Sequence, residues 1–527
     1  MIARYGRLRG DASFAPSAHC TLSVSKRLSG QVWTMVLQVL AGILLVISMG
    51  SSAFAATGKV ISLADNGLPG TLRTQIAAAA PGDTIVFSVT GTITLKLGPL
   101  EVQKNVIISG PGAANLIIDG AGLFNVFQVY PGVAVVISGV TIENGYAGAN
   151  GGGGINNQGA LALLGTTVTN NTQGVPEAPG GDGEGIYNSG TLKLMNSTVS
   201  DNSSSVGDGG GIYNSGTLEV ISSTVSGNSP GFFGPNGGGI YNSASGRVSV
   251  ISSTVSGNTA HEGDEGGGIY NEGWLGVVDS TVSGNVEFFS GSGAGINNTG
   301  TLEVLNSAFT DNSAADGAFG GAIGNSGVAT VMKSTLSGNS SDEGFGGAIY
   351  NEGTLTIINS TLSGNSATDG GRGGAIYNFS GTSTITFSTF SGNSADDGGG
   401  AIADNDGTLI LKNTLLAGQS SGGNCFGSGT ESSDGYNLSD DSTCTFLTQT
   451  GDQNDSSTAG LSPSGLQNNG GPTQTIALLP TSSAVNAVPV SACTDTVGNK
   501  ISTDQRGVKR PQGSGCDIGA YELSMQK

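Results

Sequence analysis

The chain has 527 residues, of which 92 are glycine, about 17% against a usual ~7%. Charged residues make up 11% and are acidic on balance, with 39 Asp and Glu against 19 Lys and Arg. This composition excludes a nucleic-acid partner, which needs a basic surface. The glycines are clustered rather than placed at every third position, so collagen is excluded, and sparse charge with 36% apolar residues argues against intrinsic disorder.

Residues 1–55 have the pattern of an export signal peptide. Basic residues precede an uncharged apolar stretch from Trp33 to Met49, and Ala53-Phe54-Ala55 fits a cleavage site of the A-x-A type. An uncleaved membrane anchor is the alternative, because roughly 20 apolar residues span a bilayer. Gly50 and the small residues after it favour cleavage. We therefore predict a secreted or cell-surface protein with no transmembrane segment once the signal is removed.

Residues 56–150 are predicted to form an N-terminal cap and the first coils of a solenoid. The clearest short helix candidate is Leu72–Ala77, ended by Pro81-Gly82, and it is placed to cover an otherwise open end. Five runs with strand character follow it: Thr84–Phe87, Thr92–Leu97, Asn105–Ile108, Leu116–Ile118 and Val133–Ile137.

An internal repeat dominates residues 151–416. Its central isoleucine recurs every 26 to 31 residues, and the variation falls in the Gly/Asp/Glu-rich segment before it, which is typical of a loop. The ten marked isoleucines are Ile155, Ile186, Ile212, Ile240, Ile269, Ile296, Ile323, Ile349, Ile376 and Ile402.

Within each unit the apolar residues alternate with a period of two, which predicts strands. The phase shifts at Asn196, so a corner joins two short strands, and the Gly-Ile-Tyr-Asn piece is a third strand. The fold class predicted is therefore all-β: a single-stranded right-handed parallel β-helix with a period of about 27 residues and roughly 13 coils. A helical repeat is rejected on propensity, and a calcium-binding nonapeptide solenoid is disfavoured because Gly-Gly appears about once per 27 residues. The inward leucines expected to be buried include Leu192, Leu218, Leu302 and Leu355.

Polar residues also recur in register. We interpret the asparagines of the Ser-Gly-Asn corners as a structural ladder: Asn202, Asn228, Asn258, Asn285, Asn312, Asn339, Asn365 and Asn393. Tyrosines form an outward column that is interrupted at Asn297 and Gly324. The column is a candidate binding stripe for sugar faces, and the alternative is that the rings pack on one another and on the loops. Its members are Tyr187, Tyr213, Tyr241, Tyr270, Tyr350 and Tyr377.

Residues 417–527 lose the repeat and are predicted to form a C-terminal cap. An even number of cysteines in an exported chain indicates disulfides. Four cysteines allow three connectivities, and the sequential pairing Cys425–Cys444 and Cys493–Cys516 closes the shortest loops. A zinc site is disfavoured because there is no C-x-x-C pair. We expect Arg506 to order the final segment through backbone carbonyls or Asp517.

Three segments resemble known families. Gly70-Thr71-Leu72-Arg73-Thr74-Gln75-Ile76, followed by Pro81-Gly82-Asp83-Thr84-Ile85, resembles the "CSLREA"-type leader of bacterial secreted β-helix proteins, with Gly-Thr in place of Cys-Ser. The repeats resemble those of polymorphic outer membrane proteins and of the wider pectin lyase-like superfamily. The ending, Asp504-Gln505-Arg506-Gly507, Arg510-Pro511 and Cys516-Asp517-Ile518-Gly519-Ala520-Tyr521-Glu522, resembles the choice-of-anchor Q module.

The resemblance implies that a polysaccharide lyase or glycoside hydrolase is an alternative function, but we predict no catalytic residues. His261 lies in an acidic loop where we expect it to be solvated, and the carboxylate pairs Asp396-Asp397 and Asp440-Asp441 lie in turns. The basic residues between 150 and 420 are scattered: Lys193, Arg247, Lys333, Arg372 and Lys412.

We therefore expect a monomeric, adhesin-like or structural protein whose partner is a polysaccharide or another cell-surface component. No metal site and no cofactor are predicted. Calcium at the acidic loops is the alternative, and these loops contain Asp182/Glu184, Glu262/Asp264/Glu265 and Asp342/Glu343.

Overall fold

Short parallel strands, each paired with the equivalent strand one coil later, build nearly all of the described chain. The computed structural model describes residues 56–149, 151–172, 181–203, 207–231, 236–261 and 265–524. The predicted signal peptide, residues 1–55, lies outside the described residues. The chain winds as a right-handed parallel β-solenoid of about 13 turns, which confirms the predicted fold class.

Three sheets run the length of the solenoid in the described residues, and a fourth runs along part of it. Sheet A has the strands Thr57–Val60, Asp83–Phe87, Val106–Ser109, Ala134–Ser138, Ala160–Leu164, Thr191–Met195, Thr217–Ile221, Arg247–Ile251, Trp274–Val278, Thr301–Leu305, Val328–Met332, Thr354–Ile358, Thr382–Thr386, Thr408–Lys412 and Thr430–Ser433. Sheet B has Gly91–Thr94, Leu116–Asp119, Thr141–Glu143, Thr167–Thr169, Thr198–Ser200, Thr224–Ser226, Thr254–Ser256, Thr281–Ser283, Ala308–Thr310, Thr335–Ser337, Thr361–Ser363, Thr389–Ser391, Leu415–Leu416 and Leu438–Ser439.

Sheet C carries the Ile-Tyr-Asn strands. It consists of Leu100–Val102, Phe127–Val129, Ile155–Asn157, Ile186–Asn188, Ile212–Asn214, Ile240–Asn242, Ile269–Asn271, Ile296–Asn298, Ile323–Asn325, Ile349–Asn351, Ile376–Asn378, Ile402–Asp404 and Cys425–Gly427. Sheet D, which was not predicted, consists of Thr259–Ala260, Val286–Phe288, Ser313–Ala315, Ser340–Asp342, Ser366–Thr368 and Ser394–Ala395.

The core is a set of aliphatic columns inside the coils. The alternation of apolar and polar residues places Leu192, Leu218, Leu302 and Leu355 inward, and all four are fully buried as predicted. The α-helix Leu72–Ala78 covers the first coil with Leu72 and Ile76. Its N-terminal residue is preceded by Thr71, whose hydroxyl accepts from the Thr74 backbone N–H. The predicted N-terminal cap is therefore present.

Two ladders of buried side-chain amides follow the strands. In the predicted ladder after sheet B, Asn285 Nδ2 donates to Asn312 Oδ1 at 2.9 Å and to the Val255 carbonyl at 3.1 Å, and the pattern repeats in neighbouring coils. A second ladder, which sequence reasoning missed, follows sheet C: Asn378 Nδ2 donates to Asp404 Oδ1 at 2.7 Å. These bonds satisfy corner groups that are buried from water.

The second ladder ends in a carboxylate. Asp404 is fully buried, its Oδ2 has no hydrogen-bond partner, and Gly427 takes the equivalent place in the next coil. Burial raises the pKa of Asp404. The folded chain therefore holds this proton more tightly than the unfolded chain does. As pH rises and Asp404 ionises, the free energy of unfolding of the protein falls.

We expect Asp404→Asn to raise the free energy of unfolding at pH 7. The gain should be about 1 kcal/mol or more, because leaving a buried group unpaired costs ~1–3 kcal/mol and more when the group is charged, and the amide removes the charge. It should vanish below about pH 4, where the carboxyl is protonated in both states. Chemical unfolding across this pH range measures the difference, and a gain that is equal at pH 3 and pH 7 contradicts the assignment.

The predicted disulfide-containing C-terminal part is present, and it covers more than the end of the solenoid. The coils continue past Leu416 to Ser439, Cys425, Cys444 and Leu447 join the end of the core, and Phe446 packs against it. Residues 461–524, here called the C-terminal clip, instead lie against sheet B. The clip contains the antiparallel pairs Leu461–Gln467 with Thr475–Leu478 and Val488–Pro489 with Gly515–Cys516, and the 3-10 helix Val490–Ala492.

Three successive threonines of sheet B hold the C-terminal clip. Thr361 Oγ1 donates to Gln505 Oε1 at 2.7 Å, Gln505 Nε2 donates to Thr335 Oγ1 at 2.9 Å, and the Ala520 N–H donates to Thr389 Oγ1 at 2.9 Å. These three threonines are buried, whereas the equivalent threonines of earlier coils are partly exposed. The clip therefore covers one side of the solenoid.

Two arginines order the clip. Arg510 is buried, pairs with Glu522 at 3.1 Å, and donates to the Asp517 and Gly519 carbonyls at 2.7 and 2.6 Å. Arg506 contacts a backbone carbonyl as predicted, that of Glu522 at 2.6 Å, but its carboxylate partner is Asp504 rather than Asp517.

The two disulfides form in the predicted sequential pairing. Cys425 bonds to Cys444 and Cys493 bonds to Cys516. The first ties the last sheet C strand to the segment that closes the core, and the second lies in the clip. Both bonds therefore stabilise the part of the chain that has no repeat.

Candidate functional site

Four tyrosines at the middle position of successive sheet C strands stack on one another. Their ring centroids are 5.1, 5.2 and 5.3 Å apart in turn, and adjacent planes lie within 11°. The parallel register sets this spacing, because equivalent residues of neighbouring strands lie ~4.8 Å apart. The four members are Tyr187, Tyr213, Tyr241 and Tyr270.

Stacking covers the ring faces inside this column. Tyr241 and Tyr270 are each only 9% exposed, so their faces contact other rings, as the packing alternative requires. Burial, and after it the Asp182 carboxylate, raises the pKa of Tyr213 to about 12. Burial, and after it Glu265, raises that of Tyr270 to about 12. The hydroxyls are therefore neutral hydrogen-bonding groups at physiological pH.

A polar column runs beside the tyrosines, four residues before each coil isoleucine. The Asp208 N–H donates to Asp182 Oδ1 at 3.2 Å, the Asn236 N–H to Asp208 Oδ1 at 2.7 Å, and the Glu265 N–H to Asn236 Oδ1 at 2.9 Å. Burial raises the pKa of Asp208 to about 6. One flank of the tyrosine column is therefore acidic.

The same register position becomes aromatic in later coils. Phe319 stacks on Tyr350 at 5.0 Å, and Phe345 stacks on Tyr377 at 4.7 Å. Phe379 is 38% exposed and lies 6.2 Å from Tyr377. Sequence reasoning missed Phe319 and Phe345 because they fall in the Gly-rich loops, although counting back four residues from Ile323 and Ile349 reveals them. Phe379 instead directly follows the sheet C strand Ile376–Asn378.

The gap in the tyrosine column is a cavity of about 200 Å³. The middle position of sheet C is occupied in four successive coils by Tyr270, Asn297, Gly324 and Tyr350. Two coils therefore lack a ring at this position. We call this cavity the recess and define it by five of the side chains that line it: Glu265, Asn297, Phe319, Tyr350 and Glu352.

Most basic residues of the described coils lie away from sheet C. Lys193 pairs with Glu219 at 3.0 Å on sheet A, and Arg247 lies 3.4 Å above the Trp274 ring on the same sheet. Arg372, near the far end of the aromatic column, donates to Asp397 Oδ2 at 2.7 Å. The face that carries the recess is therefore negatively charged.

The residues weighed as catalytic candidates have local contacts. His261 Nε2 lies 3.1 Å from Ser229 Oγ and its ring stacks on Phe288, so it is partly buried rather than fully solvated, and burial lowers its pKa. Asp396 accepts from the Asp369 N–H at 2.8 Å. Asp440 and Asp441 accept from the backbone N–H groups of the Gly418 and Asn424 turns.

In the part of the chain that the structure describes, no group of three or more His, Cys, Asp or Glu residues converges. Glu262 and Asp264 lie outside the described residues, so calcium at that loop stays a prediction. Asp342 accepts from Thr368 Oγ1 at 2.7 Å, a contact between adjacent coils.

One family model matches two segments of the repeats. Residues 333–352 and 387–404 match the Chlamydia polymorphic membrane protein repeat. No curated relative matches the chain in sequence. Within the described residues, no helix has the length and apolar character needed to cross a bilayer.

Several solved structures are similar at low sequence identity. A PL6 alginate lyase in complex with a trisaccharide is 14% identical, with a TM-score of 0.37, covering 71% of this chain and 87% of that one. Pectate lyase Pel9A is 13% identical, with a TM-score of 0.33, and the match covers 89% of this chain and 97% of that one. PfbA, a surface adhesin of Streptococcus pneumoniae, is 12% identical, with a TM-score of 0.33, and the match covers 72% of this chain and 94% of that one.

Proposed function

We propose that this protein is exported and acts at the cell surface or outside the cell, where it binds glycans through sheet C without cleaving them. The observation that carries the proposal is the face itself, which combines stacked tyrosines, phenylalanines and carboxylates along successive coils. Aromatic rings pack against the apolar faces of sugars, and carboxylates accept hydrogen bonds from their hydroxyls.

Two further observations support the location. The disulfides Cys425–Cys444 and Cys493–Cys516 are typical of proteins that fold in an oxidising compartment. The matches to a polymorphic membrane protein repeat favour a protein of the cell envelope.

We propose that the protein does not cleave glycans because the side chains considered as catalytic candidates are already held in hydrogen bonds or an ion pair. General acid–base catalysis needs a group placed to exchange a proton with the substrate. Asp396, Asp440 and Asp441 are held by backbone N–H groups in turns, and Arg372 is paired with Asp397.

The repetition of the face suits it to extended polymers. Each coil offers a similar small contact, and contacts made in parallel by one rigid body raise the overall affinity well above that of any one contact.

We expect the triple variant Tyr213→Ala, Tyr241→Ala, Tyr270→Ala to bind glycans at least about tenfold more weakly than the native chain, which corresponds to ~1.4 kcal/mol. The change removes the ring edges and hydroxyls that stacking leaves accessible to a sugar. The triple Tyr→Phe variant keeps the stack and separates the rings from the hydroxyls. Binding to immobilised polysaccharides, with circular dichroism as a check on folding, measures the change.

Trp274→Ala is the matched control, since Trp274 lies in the same coil as Tyr270 but on sheet A. Unchanged binding by the folded triple alanine variant contradicts the role of the tyrosines. Release of new sugar ends from a polysaccharide by the purified native chain contradicts the non-catalytic assignment and favours a lyase or hydrolase.

A further inference from the structure

The recess is where the tyrosine column of sheet C is interrupted, and it is bordered by Phe319, which stacks on Tyr350 at 5.0 Å. Asn297 follows Tyr270 in register and Gly324 follows Asn297, so the tyrosine column stops and resumes only at Tyr350. Within the column the stacked faces contact each other. A sugar ring that packs on an aromatic face therefore has more access at the gap than along the stack.

The size of the recess limits what can enter. Its volume is about 200 Å³, below the ~300–1,000 Å³ of clefts that enclose drug-sized ligands. One monosaccharide unit of a longer chain is of this scale. The open side of the solenoid lets the rest of the chain continue along the coils.

The polar groups in the recess are acceptors. Glu265 Oε2 accepts from Asn297 Nδ2 at 2.7 Å, and Glu352 Oε1 accepts from the Tyr350 hydroxyl at 3.0 Å. These two hydrogen bonds orient the two carboxylates. Each carboxylate keeps further lone pairs for a ligand, since an ionised carboxylate has about four acceptor sites. A ligand here must supply hydrogen-bond donors.

The charge of the recess selects against anionic sugars. Glu265 and Glu352 repel each other, and this repulsion adds to burial in raising the pKa of Glu265. A uronate would add a third negative charge, whereas an ammonium group would relieve the repulsion and interact with the open face of Phe319.

Resting on the proposed glycan-binding function, we propose that the recess binds one pyranose unit that carries hydrogen-bond donors and no negative charge. Its ring packs on the face of Phe319 that Tyr350 does not cover, and its hydroxyl or ammonium groups donate to Glu265 and Glu352. A protonated amino sugar satisfies both features and is bound more tightly than a neutral sugar.

The decisive variant is Asn297→Tyr. It inserts at the gap the residue that Tyr270 already places one coil earlier, so it extends the stack and fills the recess without introducing a residue foreign to the repeat. Ala403→Tyr is the matched control, because Ala403 has the same register after Tyr377 and borders a separate cavity of about 160 Å³ beside Phe426.

Isothermal titration with six-unit chitosan, cellulose and polygalacturonate oligosaccharides tests the proposal on the full chain. For native protein we expect the order chitosan, then cellulose, then polygalacturonate. Asn297→Tyr should weaken binding of the first two by at least about tenfold, while Ala403→Tyr leaves both unchanged. Thermal melting shows whether each variant is folded.

The double variant Glu265→Gln, Glu352→Gln tests the charge. It should lose the preference for chitosan over cellulose and bind polygalacturonate better than the native chain does. A folded Asn297→Tyr that binds as the native chain does overturns the recess while leaving the wider proposal standing. Native protein that binds none of these oligosaccharides and no immobilised polysaccharide overturns both, and tighter binding of polygalacturonate than of chitosan overturns the assigned charge preference.

Discussion

Replacing Arg510 with alanine is expected to release the C-terminal clip from sheet B. Arg510 is fully buried, and its removal leaves Glu522 with an uncompensated buried charge and the Asp517 and Gly519 carbonyls without this donor. Breaking a buried pair in this way costs about 3–5 kcal/mol. Hydrogen exchange of the clip amides, such as that of Ala520, measures the loss directly.

Arg372→Ala is the matched control for this change. Its pair with Asp397 is partly exposed, with 34% and 55% of the two side chains accessible, so its loss should cost less than about 1 kcal/mol. If both variants lose the same small amount of stability, the buried pair does not hold the clip.

Replacing Asn285 with alanine is expected to open the ladder that follows sheet B. The change removes the acceptor of both the backbone N–H and the Nδ2 of Asn258, and it removes the donor to the Val255 carbonyl. At about 1–3 kcal/mol for each buried group left unpaired, the free energy of unfolding should fall by about 3–5 kcal/mol. Chemical unfolding, followed by circular dichroism, checks this value.

Asn306→Gly serves as its control because Asn306 is a corner asparagine outside the ladder. Its side chain makes an exposed contact with Asp279, and its φ of +52° suits glycine. We expect a change within about 0.5 kcal/mol. A loss as large as that of Asn285→Ala would mean that any corner asparagine matters and that the ladder has no special role.

The fold could be predicted because its signals are local and repeated. Alternation with a period of two, corner residues in register and the isoleucine spacing each recur about ten times, so every coil tests the same inference. The buried leucines, the helix at Leu72–Ala78 and the disulfide pairing followed from the same reasoning.

The features that were not predicted depend on long-range or weak signals. Sheet D is built largely from two or three small residues per coil, such as Ser313–Ala315, and alanine is depleted in strands. The contact between Gln505 and Thr335 joins residues 170 apart in sequence, and no local pattern reports it.

The sequence predicted the tyrosines of the candidate site but not the loop residues beside them. The tyrosine column shares its strand with the marked isoleucine, so its register can be read directly. Phe319 and Glu265 lie in loops of unequal length, and their shared register appears only when the count starts from the isoleucine that ends each loop. Their contacts with Tyr350 and Asn297 then require the stacking of coils.

The amide ladders have a consequence for how such a chain changes over generations. In the repeated coils each ladder amide bonds within its own coil or to the coils directly before and after it. Unequal recombination between two equivalent gene segments therefore inserts or deletes a complete coil and leaves every ladder amide paired. The length of the rod can therefore change in single steps while each product still folds. Coils gained on either side of the recess shift its distance from the two ends and leave its chemistry unaltered, so reach and recognition can be inherited as separate traits.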